Sequence, residues 1–351
     1  MLFLSGLLGL LVAGTSAGML AFHTETETED APSEAQLEAE GEPSEAGDLL
    51  DAALFDAPSE AGLSEVSAGE EAVAPTASPE ASDADDILWG DLSDDVIAGA
   101  AGEDQIAGYS GDDGLLGEEG DDRLFGDDGD DLLSGGDGAD TLSGGAGDDS
   151  LEGDAEDDCL TGGLGADTLS GGAGADLLSG GAEADLLIGG VGDDTLTGDA
   201  GDDTLIGEAG HDELTGGAGD DVIFGADLSG ETAPDADADL LNGCSGADTL
   251  VIGSGDWAHG GEEGDLFALG DWIDPGAPAT IADFTAQEDQ ITVVFDPQVT
   301  PDPVLSIEPS ETHEAANWIL LDGVRLAEVL DAPGLLARDV MLMPAQQFGL
   351  G

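Results

Sequence analysis

From residue 86 to residue 225 the apolar positions of the chain keep a period that fits neither an amphipathic helix nor a long alternating strand. Leucine or isoleucine recurs at every ninth position, from Leu88 through Leu133 and Leu178 to Ile223. An aspartate precedes each by two positions, from Asp86 to Asp221, and a glycine follows each by two, from Gly90 to Gly225. The three positions match through 16 consecutive repeats. Each unit parses as a six-residue turn, GGxGxD, and a three-residue strand. Side chains alternate across a strand, so the central leucine points inward and its neighbours outward. Such short strands bury no core alone, whereas stacked units do, and a strict repeat of this kind predicts a solenoid.

Two turns and two strands, which is two repeats, complete one coil. That places the aspartates in two columns along opposite edges. One column holds Asp95, Asp113, Asp131, Asp149, Asp167, Asp185, Asp203 and Asp221; the other runs from Asp86 through Asp140 and Asp176 to Asp212. Carboxylates in a column stand one strand spacing apart, about 4.8 Å. Unneutralised, they destabilise the stack. A hard divalent cation between turns, held by carboxylate and carbonyl oxygens, removes that penalty, and calcium suits flexible all-oxygen sites better than magnesium. The expected cofactor is therefore Ca2+, up to about 14 ions in the roll. Residues 86 to 225 carry 39 acidic side chains and one arginine, a charge that this loading largely offsets.

The phrases GGDGADTLS at 135, GGAGDDSLE at 144, GGLGADTLS at 162, GGAGADLLS at 171, GGVGDDTLT at 189 and GGAGDDVIF at 216 resemble the hemolysin-type (RTX) calcium-binding nonapeptide. The resemblance implies a parallel β-roll with calcium between successive turns, and secretion, usually through a type I apparatus that reads an uncleaved C-terminal signal. Carried over by position, the metal ligands are Asp104, Asp113, Asp122, Asp131, Asp140, Asp149, Asp158, Asp167, Asp176, Asp185, Asp194, Asp203, Asp212, Asp221 and Asp248, with turn glycines offering carbonyls. Departures locate weak points. Ala84, Ser93, Glu156 and Glu183 replace the glycine two positions before the aspartate, which makes the first two repeats caps and predicts weaker sites at Asp158 and Asp185. Asp91, Glu118, Asp127, Asp154, Asp199 and Glu208 replace the second glycine. The repeat falters at 226–238, read as one irregular or bulged turn, and resumes at Asp239 and Asp248.

The remaining chain divides by composition. Residues 1–22 form an apolar run long enough to cross a bilayer; membrane insertion, a signal peptide and a buried hydrophobic tail are all compatible with it. Residues 23–84 read as a disordered acidic linker. Residues 85–260 are the expected roll, and residues 261–351 a small β-rich C-terminal cap. In the cap IADF (281–284), QITVVF (290–295), NWILL (317–321) and VRLAEVL (324–330) predict strands, with Asp322-Gly323 as a hairpin turn. The closing stretch GLLARDVMLMPAQQFGLG (334–351) occupies the expected place of an export signal. Leu186, Ile188, Thr204, Ile206, Val222 and Phe224 line one outer face, where the C-terminal segment or a partner is expected to pack.

The fold class is thus all-β, a calcium-bound roll with a C-terminal cap, an acidic linker and an N-terminal apolar helix. With 82 acidic residues against three arginines, a formal charge of −79, nucleic acid is excluded as a partner for want of cations. Cys159 and Cys244 lie nearly five coils apart and are expected to be free thiols. HExxH and GxSxG are absent, and His23, His211, His259 and His313 are scattered. The expectation is a non-enzymatic, secreted or cell-surface calcium-binding protein. A matrix or adhesive protein tethered by residues 1–22, and an enzyme with a site in 261–351, are the alternatives.

Overall fold

A computed structural model describes residues 81–226 and 237–348; the expected N-terminal helix and all but the end of the linker lie outside them. Two parallel sheets face each other. One has 14 strands, beginning at Ile87–Trp89, and the other 12, beginning at Val96–Ala101. Successive strands alternate between the sheets, so each strand pairs with the one two places later. Thr168–Ala173 pairs in parallel with Leu186–Val191, Leu169 opposite Leu187, and this step of two repeats recurs along the roll. The chain makes about ten coils.

From Val96–Ala101 to Glu213–Ala218 each strand holds six residues rather than three, and each turn three rather than six; Ile87–Trp89 and Val222–Phe224, at the two ends of this run, hold three. Thr168–Ala173 and Leu177–Ala182 are separated by Gly174, Ala175 and Asp176 alone. The Gly-Gly half of the repeat lacks the side chains that mark a strand in sequence, yet its backbone continues the ladder, with Gly172 opposite Gly190. The pairing skips the first glycine of each repeat, Gly171 against Gly189 among them.

The core of the roll is one column of leucine and isoleucine from each sheet. Leu115 through Leu214 are almost wholly buried. Burying one leucine contributes about 1.5–3 kcal/mol, and each nonapeptide supplies one such group. The neighbouring outward positions carry Ser, Thr and Glu, as in the strand Ser150–Ala155.

The faltering stretch is accommodated by one enlarged coil. Glu213–Ala218 pairs with Leu240–Ser245, Leu214 opposite Leu241, a step of three repeats in place of two. The sheet therefore continues in register across it, with one nonapeptide of extra chain; residues 227–236, most of the expected irregular turn, lie outside the described residues. Beyond it the C-terminal strands extend the same two sheets. Leu266–Gly270 pairs in parallel with Gln290–Phe295, which pairs with Val340–Pro344. The 14-stranded sheet runs through Trp257–Glu262 and Ala279–Ile281 to Val324–Val329, then turns antiparallel through Asn317–Leu321 and Leu305–Pro309.

The strands expected at 290–295 and 317–321 match in full. At the hairpin Asp322 and Gly323 both have positive φ, 53° and 83°, as a two-residue turn between twisted strands requires. The strand expected at 281–284 instead ends at Ile281. Asp283 leaves it to accept hydrogen bonds from the N–H groups of Gly260 and Gly261, at 3.0 and 2.9 Å. On the outer stripe Ile188, Ile206 and Phe224 are paired neighbours as expected, and the C-terminal strands continue the row, Phe224 opposite Val251 and Val251 opposite Ala268; Phe224, Val251 and Ala268 are buried, whereas Ile188 and Ile206 are half-buried. Part of the expected export segment, Val340–Pro344, is a strand of the sheet. Cys159 and Cys244 are free thiols. Among the described residues no helix is long and apolar enough to cross a membrane.

Candidate metal centres along the roll

The repeated aspartate is the last residue of each three-residue turn, and its side chain turns back beneath the coil before it. Asp113 Oδ1 accepts the backbone N–H of Asp95 at 2.7 Å, and Asp131 Oδ1 accepts that of Asp113 at 2.8 Å. The same bond links Asp167 to Asp185 and Asp194 to Asp212. Each column is thus a continuous ladder in which every carboxylate is anchored by one oxygen. The second oxygen is different. In fourteen of the fifteen predicted ligands, Asp212 apart, Oδ2 is buried and has no hydrogen-bond partner. The aspartates themselves are at most 3% exposed.

A buried, unpartnered carboxylate oxygen is costly, and its recurrence in fourteen turns is a systematic feature. Each Oδ2 lies in a cradle made by the first glycine of the preceding strand. A β-carbon on Gly153 would collide with Asp158 Oδ2 and with the carbonyl oxygen of Gly171 in the next coil; Gly189 stands in the same relation to Asp194 Oδ2 and the Gly207 carbonyl. The skipped glycine therefore has two functions. It leaves room for the carboxylate, and it brings a main-chain carbonyl oxygen to the same place. Among the described residues no three His, Cys, Asp or Glu side chains gather around one point, so any cation here draws most of its ligands from the backbone. Carboxylate plus carbonyl is the hard oxygen set that calcium takes.

Electrostatics agree with this arrangement. Burial pushes the carboxyl groups of Asp149, Asp158, Asp185, Asp194 and Asp221 up to about 7. It pushes Asp122, Asp203 and Asp248 up to about 6. The anchoring N–H bond opposes the rise, and neighbouring carboxylates add to it: those of Asp203 and Asp167 act on Asp185.

Both ladders are closed at their ends. Asp86 Oδ2 accepts from the Ser82 N–H and hydroxyl at 2.8 and 2.7 Å, and Asp95 Oδ2 from the Asp91 N–H at 2.7 Å. The first two repeats are caps, as their lost glycines predict. At the far end Gly253 donates to Asp256 Oδ2 and Thr285 to Asp289 Oδ2, both at 2.5 Å.

Further aspartates outside the predicted ligand set belong to the ladders, Asp239 in phase with the period and the others not. Asp239 accepts from Asp212, Asp256 from Asp239, and Asp265 from Asp248. The last two steps fall one position short of two full repeats, which takes them out of phase with the count. A second, outer ladder also escapes the period. Asp94, Asp112 and Asp130 immediately precede the buried aspartates and point the other way, each accepting an N–H from the following coil at 3.0–3.2 Å.

The substituted turns also bear on sites other than those expected to be weak. Glu183 and Glu156 have φ of 83° and 80°, where Gly120 and Gly147 have 133° and 138°. A β-carbon on Gly120 would meet the carbonyl oxygen of Gly102 in the coil before, so a glutamate enters only by changing its backbone angle. The charge of Glu183 raises Asp167, and that of Glu156 raises Asp140. The carboxylates felt are one coil earlier than Asp185 and Asp158.

The family model of the RTX calcium-binding nonapeptide repeat (four copies) matches at residues 80–115, 108–142, 116–151, 134–169, 161–196, 170–205 and 197–227. No curated protein sequence matches the chain. Among solved structures, a hyperactive, Ca2+-dependent, β-helical antifreeze protein from an Antarctic bacterium is similar at 16% identity and a TM-score of 0.30, covering 62% of this chain and 87% of that one. The repeats between residues 80 and 227 belong to the RTX calcium-binding nonapeptide family.

Proposed function

We propose that this is a non-enzymatic secreted or cell-surface protein whose roll folds when the chain passes from low to roughly millimolar calcium. The observation that carries the reading is the row of fourteen buried Oδ2 atoms without a donor, ten of them in a cradle that a glycine carbonyl oxygen also borders. Asp104, Asp113, Asp122 and their successors to Asp248 would hold calcium through Oδ2, while Oδ1 keeps each side chain anchored to the coil before. The ion supplies positive charge where the fold otherwise stacks carboxylates. Without it the roll carries the full cost of burying them, so the extended chain is favoured. Weak affinity is expected of extracellular calcium modules. Folding outside the cell would also oppose backward movement through a type I exporter.

Far-ultraviolet circular dichroism of the full chain tests this. In EDTA at neutral pH most of the strand signal should be absent, and millimolar calcium, but not magnesium, should produce it. Strand content equal in EDTA and in calcium would overturn the proposal.

A further inference from the structure

Near the end of the repeats the outer face of the 14-stranded sheet changes character. Glu213, Leu240 and Trp257 stand side by side on three adjacent strands, and Thr215, Asn242 and His259 form the row beside them. Together they line a shallow depression of about 230 Å³. Trp257 is 45% exposed and Leu240 52%. Farther back along the same two rows stand Thr195 and Thr197, then Leu177 and Ser179, with no aromatic ring among them.

We propose that this depression binds a pyranose unit of a neutral glycan. A sugar ring presents an apolar face of C–H groups and an edge of hydroxyls. An exposed indole beside a leucine offers the first a flat apolar platform, and a short row of polar side chains offers the second both donors and acceptors. Asn242 supplies both kinds, Thr215 a hydroxyl and Glu213 an acceptor. These three side chains make no hydrogen bond to a described residue. His259 is held by Asp283, Nδ1 to Oδ2 at 2.5 Å, and Asp283 is itself fixed by two backbone N–H groups. The imidazole is therefore preorganised, with Nε2 as its remaining polar atom.

Charge restricts the class of sugar. The chain carries −79, and the depression contains Glu213 but none of the three arginines. A uronate or sulfate would meet repulsion without a compensating cation.

Affinity electrophoresis of the full chain in calcium-containing native gels tests the inference, with laminarin, dextran, galactomannan and the anionic polymer alginate each embedded in turn. At least one neutral polymer should retard the protein and alginate should not. Trp257→Ala should weaken the retardation at least tenfold. Trp89→Ala, which removes a tryptophan 42% exposed at the other end of the same sheet, should leave it unchanged. Circular dichroism in calcium checks that both variants keep their strands. Absence of retardation by every neutral polymer, equal retardation by alginate, or equal loss in the two variants would overturn the proposal.

Discussion

The repeats and the C-terminal strands share two continuous sheets, yet they are held together by different means. Within Thr168–Ala173 only Leu169 and a glycine are buried. Within Gln290–Phe295 every residue but the first is buried, and within Asn317–Leu321 four of five are. At about 1.5–3 kcal/mol for each large apolar side chain, a C-terminal strand contributes several times what a repeat strand does. The repeat also buries an unpartnered carboxylate oxygen, whereas Glu328, the carboxylate buried in the C-terminal strand Val324–Val329, is held by Ser310, Thr312 and His313. A nonapeptide that buries one leucine and one unpartnered charge is deficient on both counts, and a cation bound at the charge corrects the second. The dependence on calcium is accordingly expected to follow the leucine-poor stretch and to fade where the core widens at Phe267, Ile291 and Ile319.

Hydrogen exchange read residue by residue is the strongest way to break that comparison. On transfer from calcium to EDTA, the amides of Leu124, Leu160 and Leu196 should lose protection by several orders of magnitude. Those of Ile291, Val293 and Ile319 should keep a substantial part of theirs. Uniform loss along the chain would mean that the wide core is no more self-sufficient than the narrow one.

A smaller effect comes from pH, and its sign differs with and without metal. Burial pushes Asp122 up to about 6 and Asp149 and Asp185 up to about 7 in the fold, against about 3.9 when unfolded. Between those values the metal-free folded state binds more protons than the unfolded chain. Its stability therefore falls as pH rises from about 4 to about 7. With calcium the ligands must be ionised, so acid weakens binding and the slope reverses. The strand signal of the roll measured from pH 5 to pH 7.5 should fall in EDTA and rise at sub-saturating calcium. A rise in both would show that the buried carboxylates are not what destabilises the metal-free roll.

What was legible in the chain follows the same division. The two-repeat coil and the leucine column were readable because both recur without exception from Leu88 to Ile223. Asp322-Gly323 was readable because only a few residue pairs accept two positive φ values. The six-residue strands were hidden because Gly-Gly carries no strand signature; their formation depends on the neighbouring coil, which a single repeat does not display. The directions of the carboxylates were hidden for a related reason. Asp112 and Asp113 are adjacent and chemically identical, yet the first reaches forward to Asp130 N–H and the second back to Asp95 N–H. Only the stacking distinguishes them. The continuation of the ladders to Asp256 and Asp265 was lost because those two steps fall one position short of the period.

Glu183 offers the finest test, since it brings the backbone and the charge of one turn into conflict. Its φ of 83° costs a residue with a β-carbon about 1 kcal/mol relative to glycine. Its charge opposes ionisation of Asp167, an additional cost in the absence of metal. Glu183→Gly removes both, but adds about 0.5–1 kcal/mol of unfolded-chain entropy. The net gain in EDTA should therefore be below about 1 kcal/mol. In calcium the outcome depends on whether the carboxylate is a bystander or a ligand. Asp167 belongs to the coil before that of Glu183, whereas the aspartate in its own turn, Asp185, already has an anchored side chain with a buried Oδ2. A bystander is expected, so the calcium midpoint of the variant should stay the same or fall slightly. A rise in the midpoint would identify Glu183 as an extra ligand, and would make the irregular turn a reinforced site where the uniform repeat predicts a weakened one.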